Sequence, residues 1–458
     1  MTRQLMLSAM CLAAVAAPVA AQPTTLTLTL SDAVARAFDT SHRLAEARAR
    51  EEGAQATLRL RRAASKPTAT ASAGYSRTNH VDEFGFPSPD GGYRILYPDV
   101  PDNVLTRVAA QWPIYTSGRF DALERVAAAE ASAVAADIDT ARADLRFEVQ
   151  RAYWALATSR EAVRVLQESV ERAEAQVRDA RQRLDVGLVP PSDVLTFEAQ
   201  RSREELQLIE AVTLRESSLI ELRRLIGAEA DTPIDLADPL DAPPLFTAVA
   251  GTAAATPVPA PPELAAVSAR LVSEALQARP ERQALSFRIE GARARTQAAS
   301  SGNKPTIALG GGFDFSNPNP KIFPREEVWQ ASWDLGVNVN WTWFDSGRTR
   351  AEVAEAAAAA RAAEERLKDL DTLVDADVRQ RVLDLRSSLV SVRAAADGVR
   401  AAAEARRVIG ERFAVGVATT TDVLIAQDQL LTAELARARA LASVRLAEAR
   451  LQRALGRP

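Results

Sequence analysis

Residues 332–343 read "SWDLGVNVNWTW" and alternate strictly between apolar and polar side chains. In a β-strand successive side chains point to opposite faces, so one face of this stretch is apolar and the other carries Ser, Asp, Gly, Asn and Thr. The apolar face comprises Trp333, Leu335, Val337, Val339, Trp341 and Trp343. This pattern is typical of a transmembrane β-barrel strand, with apolar residues against lipid and polar residues in a solvated lumen. Taken alone, the stretch also fits a sandwich strand packed on helices.

The rest of the chain has the composition of long helices. Of its 458 residues 47% are hydrophobic, with alanine supplying much of that fraction, and 25% are charged, for a net charge of −4. Small apolar residues interleaved with Arg and Glu predict a mainly α fold of closely packed helices. Because the cations are in no surplus and alternate with carboxylates, we expect no binding to nucleic acid.

The N-terminal segment, residues 1–21, is predicted to be a signal peptide. Arg3 provides a positive start, Leu5–Val19 an apolar core, and small residues a cleavage site. The sequence has one cysteine, Cys11, inside this segment, so the mature chain is expected to have neither a disulfide nor thiol chemistry. Lipoprotein processing is disfavoured because Met10 precedes that cysteine.

Two pairs of segments repeat at one shared offset along the chain. They are "WPIYTSGR" at 112–119 with "WTWFDSGR" at 341–348, and "GLVPPSDVLTFEAQ" at 187–200 with "GVATTTDVLIAQDQ" at 416–429. A third match joins the segment from Lys66 to the segment from Lys304 at a slightly larger offset. The first half therefore has extra residues between this match and Trp112, and we assign them to a loop. We therefore predict an internal duplication. Its parts are a first repeat at 22–227, a Pro-, Ala- and Asp-rich linker with little regular structure at 228–262, and a second repeat at 263–458.

Each repeat is predicted to contain a helix, two strands, a very long helix, a short turn and a final helix. The helices are Ser31–Ser65, Ser117–Val186, Ser192–Ile226, Glu263–Asn303, Ser346–Val415 and Thr421–Leu455, with Pro280 and the matching His42 as interruptions. Small apolar residues spaced by three and four predict an antiparallel coiled-coil seam. The seam positions are Val149, Ala152, Leu156, Ser159, Val163, Leu166, Val170, Ala173, Val177, Ala180 and Leu184. Such a helix is roughly 100 Å long and needs water around its charged surface.

Four strands per chain cannot close a membrane barrel. An open edge would leave backbone groups unpaired in lipid, and about eight strands is the practical minimum. A homo-oligomer is therefore expected, with eight strands in a dimer or twelve in a trimer. The loops at 77–103 and 316–330 are predicted to face the cell exterior.

The chain resembles the outer-membrane efflux protein family, the TolC-like export channels of Gram-negative bacteria. The resemblance rests on "LTLSDAVARA" from Leu28, "EALQARPE" from Glu274, the paired Ser-Gly-Arg segments and the paired Gly-to-Asp-Val-Leu turns. It implies a homotrimer with a twelve-stranded outer-membrane β-barrel continued by a periplasmic α-barrel. It also implies a passive exit duct for an inner-membrane transporter, of an efflux pump or a type I secretion system, reached through a periplasmic adaptor protein.

The resemblance also implies roles for the two turns. Gly187, Leu188, Gly416 and Val417 would form the tips that dock the adaptor. Asp422, Ile425 and Asp193 would lie at the pore constriction. From the residues alone, the glycines are expected to end the long helices in a left-handed conformation, and Ser192 and Thr421 to cap the helices that follow.

No enzyme site is expected. His42 and His80 have no cysteine or paired carboxylate motif around them, and no Gly-rich phosphate loop follows a strand. We predict neither a metal nor a cofactor. The alternative that the residues leave open is a periplasmic coiled-coil adaptor or structural protein, which would share the helices and the signal peptide but not the alternating strands.

Overall fold

The computed structural model describes residues 26–255 and 263–457, and the predicted signal peptide lies outside them. The strands are β1 (Leu26–Leu28), β2 (Thr68–Arg77), β3 (Phe84–Pro87), β4 (Tyr93–Tyr97), β5 (Asp102–Tyr115), β6 (Ile234–Leu236), β7 (Thr306–Asn317) and β8 (Gln330–Asn340). The helices are α1 (Leu30–Thr40), α2 (His42–Ala63), α3 (Arg119–Asp185), α4 (Pro191–Ile226), α5 (Thr247–Ala255), α6 (Glu263–Ala278), α7 (Pro280–Ala299), α8 (Arg348–Ala414) and α9 (Thr420–Ala454). Each half thus contributes two strands to the four-stranded sheet, β2 and β5 or β7 and β8, and a helix of 67 residues follows them.

The chain forms two compact units. The first comprises the chain up to Thr40, Glu148–Pro244 and Ser391–Leu446. The second comprises Ser41–Phe147, Leu245–Val390 and the chain from Ala447. None of the helices in the described part of the chain combines the length and apolar character needed to cross a bilayer.

The second unit contains a four-stranded antiparallel sheet in the order β2-β5-β7-β8. Its register sets Trp333 opposite Phe313, and Phe313 opposite Val108, so large apolar residues of neighbouring strands share one face. These residues are exposed, with Trp333 at 75%. The predicted alternation is therefore confirmed for β8, while contact of this face with lipid remains a prediction.

The predicted strand is too long at its C-terminal end. β8 ends at Asn340, so Trp341 and Trp343 lie beyond it. The last pair of the ladder joins Asn340 to Thr306, the first residue of β7. Pro305 precedes Thr306 and has no N–H to donate, so the ladder cannot continue. Instead, the Trp341 indole N–H donates to the carbonyl oxygen of Asn303 at 3.0 Å.

The two Ser-Gly-Arg segments redirect the chain from strand to long helix. Ser117 and Ser346 have φ angles of 52° and 54°, and the glycine after each also has positive φ. Two successive left-handed residues turn the backbone sharply. The turn in the first half is fixed by the Ser117 hydroxyl, which donates to the carbonyl oxygen of Pro305 at 2.6 Å.

The coiled-coil seam of α3 is confirmed. Ten of its eleven predicted positions are buried, and Leu184 is partly buried near the end of the helix. The predicted interruptions at His42 and Pro280 are confirmed, because Ser41 separates α1 from α2 and Arg279 separates α6 from α7. Ser41 accepts a hydrogen bond from the amide of Leu44 and starts α2, and Pro280 occupies the first turn of α7.

The predicted absence of regular structure in the linker is wrong. β6 pairs in parallel with β1, 26–28 against 234–236, and α5 follows. The buried Tyr153 hydroxyl donates to the carbonyl oxygen of Leu28 at 3.1 Å and to the carboxylate of Asp238 at 2.9 Å. The composition of the linker suggested a loop. It does not reveal that β6 pairs with β1, at the opposite end of the first repeat. The predicted loop at 77–103 likewise contains the hairpin β3–β4.

Candidate functional site: the two helix turns

The turn after α3 ends that helix with a left-handed glycine. Gly187 has a φ of 76°, and its amide donates to the carbonyl of Leu184 at 2.9 Å. The amide of Leu188 donates to the carbonyl of Arg183 at 2.8 Å. These two bonds form a Schellman motif, which satisfies the last carbonyl groups of the helix.

The turn after α8 repeats that geometry in the second half of the chain. Gly416 has a φ of 78° and donates to Phe413 at 3.1 Å, while Val417 donates to Arg412 at 2.8 Å. The left-handed glycines predicted at both turns are confirmed.

Four large aliphatic residues project into solvent from the two turns. Leu188 is 74% exposed and Val417 75%, and Val186 and Val415 are comparably open. In a Schellman motif the residue after the glycine often packs on the side chain five positions earlier. Here that position holds an arginine in both turns, and the aliphatic residue stays exposed. The apolar crest, which we define as Val186, Leu188, Val415 and Val417, therefore has the character of a protein contact surface.

The helices that follow the two turns begin differently. α9 starts with a capping box, in which the Thr419 hydroxyl accepts from the amide of Asp422 at 3.2 Å and the Asp422 carboxylate accepts from the amide of Thr419 at 2.8 Å. α4 starts at Pro190 and Pro191 with no side-chain cap bond. The predicted caps Ser192 and Thr421 are wrong, since both lie inside the first turn of their helices.

The two helix starts are joined directly. The Thr420 hydroxyl donates to the carboxylate of Asp193 at 2.6 Å. The Ser192 hydroxyl on the same turn as Asp193 donates to that carboxylate at a longer distance, 3.5 Å. The structure thus brings the starts of α4 and α9 together.

An aromatic cluster lies behind the turns. Phe197 of α4 and Phe413 of α8 meet edge to face at 6.4 Å between ring centres, and the guanidinium of Arg183 lies 5.1 Å from the Phe413 ring centre. Val177, Ala180, Val194 and Val423 complete the buried cluster. This packing fixes both helix pairs just behind the exposed crest.

Two of the predicted pore residues, Asp422 and Ile425, are exposed on α9, whereas Asp193 on α4 is partly buried. Ile425 lies one turn after Asp422 and is half exposed. Hydrogen bonds from the amide and then the hydroxyl of Thr419 hold the pKa of the Asp422 carboxyl below its usual range. Asp422 is thus ionised at neutral pH and available to a passing cation, but its place in a pore remains a prediction.

Sequence reasoning missed Thr419, Thr420, Phe413 and Arg183. The sequence "TTTD" at 419–422 contains a readable capping box signal. The aromatic and arginine contacts carry no such signal, since they depend on packing between helices. Within the described ranges, no three His, Cys, Asp or Glu side chains are grouped to hold a metal ion.

The chain is similar to known proteins in sequence and in fold. Over 210 residues, 46% of this chain, the sequence is 30% identical to protein CyaE of Bordetella pertussis, and the alignment covers 42% of that protein. The fold is similar to that of a membrane protein from Pseudomonas aeruginosa, with a TM-score of 0.75, 20% identity and 93% of both chains covered. It is also similar to the open state of the Neisseria gonorrhoeae MtrE outer membrane channel, with a TM-score of 0.73, 20% identity, and coverage of 93% of this chain and 88% of that one.

The family match extends over both halves. The model of the family described as outer membrane efflux protein matches residues 33–228 and 271–457, which is most of the chain. The chain belongs to the outer membrane efflux protein family.

Proposed function

We propose that this chain is a passive exit duct, in which three copies close a twelve-stranded barrel and their long helices form a tunnel through the periplasm. Its family is one of outer membrane efflux proteins, which gives its location in the outer membrane. The duct would serve an efflux pump or a type I secretion transporter, with a periplasmic adaptor docked at the helix turns.

The observation that carries this proposal is the open sheet. β2 and β8 are the edge strands, and the face containing Trp333, Leu335, Val337 and Val339 is apolar and exposed. An exposed apolar face marks a protein or membrane contact, and open edge strands favour pairing with another chain. In lipid the apolar face is favourable, and the edges must pair with β8 and β2 of neighbouring copies. Because the four strands alternate in direction, β8 of one copy meets β2 of the next antiparallel, and the ring closes.

A second observation supports neighbours around the helices. Leu195, Leu206, Ile209 and Ile220 of α4 are all more than half exposed. At about 100° per residue, these four positions fall within an arc of roughly 60° on the helix, and Leu214, which is also more than half exposed, lies about 80° beyond that arc. Such a narrow aliphatic stripe is suited to packing against the helix of another copy.

Photo-crosslinking in growing cells tests the docking part of the proposal. Benzoylphenylalanine at Leu188 or Val417 should give an adduct with a periplasmic adaptor, identified by mass spectrometry. The same probe at Leu60, a similarly exposed leucine on α2, serves as the control. Adducts at Leu60 but none at either turn would contradict docking at the turns.

A further inference from the structure

The segment between β7 and β8, residues 318–329, folds back over the polar face of the sheet. We name this segment the strap. The side-chain amide of Asn319 donates to the carbonyl of Gln330 and to the hydroxyl of Ser332, each at 3.0 Å. Asn319 is 1% exposed, and Asp314 and Ser316 on the polar face of β7 are also buried. Residues that alternation assigns to the solvated face are therefore covered.

A cluster of four charges fixes the middle of the strap. Arg107 donates two hydrogen bonds to the Asp314 carboxylate, both at 2.9 Å, and two to the Asp334 carboxylate at 3.0 and 3.1 Å. Lys321 contacts Asp314 at 2.6 Å and also contacts Asp334. Three of these residues belong to neighbouring strands, and Lys321 belongs to the strap. Its ammonium group is therefore the ionic link between the strap and the sheet.

The far end of the strap has its own contacts. The Arg325 guanidinium donates to the Tyr97 hydroxyl at 3.1 Å and to the side-chain oxygen of Asn103. On the apolar face of the sheet, the Trp329 ring at the end of the strap stacks on Phe315 with 5.0 Å between ring centres. The strap is thus tied to β4, β5 and β7 as well as to β8.

The folded position of the strap also leaves polar groups unsatisfied. Ser316 Oγ, Asn317 Oδ1 and Gln330 Oε1 are buried and have no hydrogen-bond partner among the described residues. Burying such atoms without a partner is unfavourable, and water would reach them if the strap lifted. The ion pairs of Lys321 favour the folded position of the strap, and hydration of the buried polar atoms favours a lifted position. The strap therefore has two competing positions.

We propose that the strap is a releasable constriction at the outer end of the duct, latched by Lys321 to Asp314 and Asp334. The proposal rests on the proposed function, because the polar face lines a lumen only in a closed barrel. In a trimer three straps would fold inward at the same level and narrow the passage. Salt screens the pair of Lys321 with Asp334, in which both side chains are partly exposed, more than the pair with the buried Asp314, so added salt would weaken the latch.

Planar-bilayer conductance of the detergent-extracted full chain tests the latch. Lys321→Ala should raise the single-channel conductance by about twofold, whereas Lys321→Arg should preserve the wild-type value. Lys368→Ala, which removes a lysine from an exposed ion pair with Glu365 on α8, is the matched control and should change nothing. Conductance normalised to bulk conductivity should rise in the wild type between about 0.1 M and about 1 M KCl, and should stay flat in Lys321→Ala.

Cysteine labelling provides a second readout that does not depend on conductance. Cys11 is the single cysteine of the sequence, so Ser316→Cys in a background without Cys11 introduces one reporter thiol. A charged maleimide should label this buried position slowly, and faster once Lys321→Ala is added.

Unchanged conductance and labelling in Lys321→Ala, with a conducting wild-type channel, would overturn the latch and leave the duct intact. A wild-type protein that forms no channel would overturn both proposals.

Discussion

The two helix turns end in the same way and begin in different ways. Gly187 and Gly416 adopt the same left-handed conformation, and Leu188 and Val417 are equally exposed. After the glycines, the second turn supplies its own capping box at Thr419, while the first has two prolines and no side-chain cap. The exposed crest is thus common to both turns, and the local stabilisation is not.

The shared crest and the unequal caps therefore have different roles, the crest in contact with a partner and the caps in stability of the helices. Exposed aliphatic residues stabilise nothing in a single chain, and their presence in both turns supports the proposed docking of a partner there. A side-chain cap stabilises the helix that it starts, and α4 has none. The bond from Thr420 to Asp193 instead ties the start of α4 to the start of α9.

The largest effect is expected at the crest. Leu188→Asp and Val417→Asp should each weaken co-purification of the adaptor about tenfold, and about a hundredfold together, because charges replace apolar anchors. Leu60→Asp is the control. A strong loss from one substitution and none from the other would mean that the turns are not equivalent in docking.

The next effect concerns the pore. Asp422→Asn should weaken block by multivalent cations several-fold in single-channel recordings, because it removes one charge per copy from the tip. Asp193→Asn should have less effect, since Asp193 is partly buried whereas Asp422 is exposed. Unchanged block in Asp422→Asn would remove this residue from the pore.

Alanine at either turn glycine should lower the free energy of unfolding by the same amount. A Cβ at Gly187 or Gly416 would meet no atom within 4 Å, so the cost of alanine is confined to the backbone. Each substitution should lower the free energy of unfolding by about 1 kcal/mol, measured by urea unfolding followed by circular dichroism. Gly398→Ala in α8 is the opposite control: it also has open space, and alanine should stabilise the helix. Unequal losses at the two turns would show that their backbones are strained differently.

Substitutions at the starts of α9 and α4 should differ in their effect on the free energy of unfolding. Thr419→Ala removes the capping hydroxyl and should cost about 1 kcal/mol in the same unfolding experiment. Pro190→Ala removes no cap bond and should be close to neutral. Equal effects would contradict the asymmetry between the turns.

The smallest effect is the pH dependence of the second turn. The pKa of Asp422 is lowered by Thr419 in the folded chain, so its stabilisation is present above the ordinary carboxyl pKa. That stabilisation is lost as the pH falls through the lowered value. The difference in unfolding free energy between wild type and Asp422→Asn should therefore narrow below about pH 4. A difference that stays constant into acid would exclude the charged cap.

Local patterns predicted what depends on local periodicity. The seam of α3 follows from the heptad spacing of its small apolar residues, the apolar face of β8 follows from strict alternation, and both are found. The predicted end of β8 was wrong because Pro305, which directly precedes β7, ends the pairing between the two strands. β6 was missed because its partner is β1, far away in sequence. The bond between Asp193 and Thr420, and the strap held by Lys321, depend on packing of distant segments and leave no mark in the sequence pattern.

The most direct test of the central claim is the native mass of the detergent-extracted protein, measured with its planar-bilayer conductance in one preparation. The proposed duct predicts a mass of three chains and discrete conductance steps, because three open sheets must pair edge to edge to close a barrel. A monomer that needs no detergent and forms no channel would contradict the account.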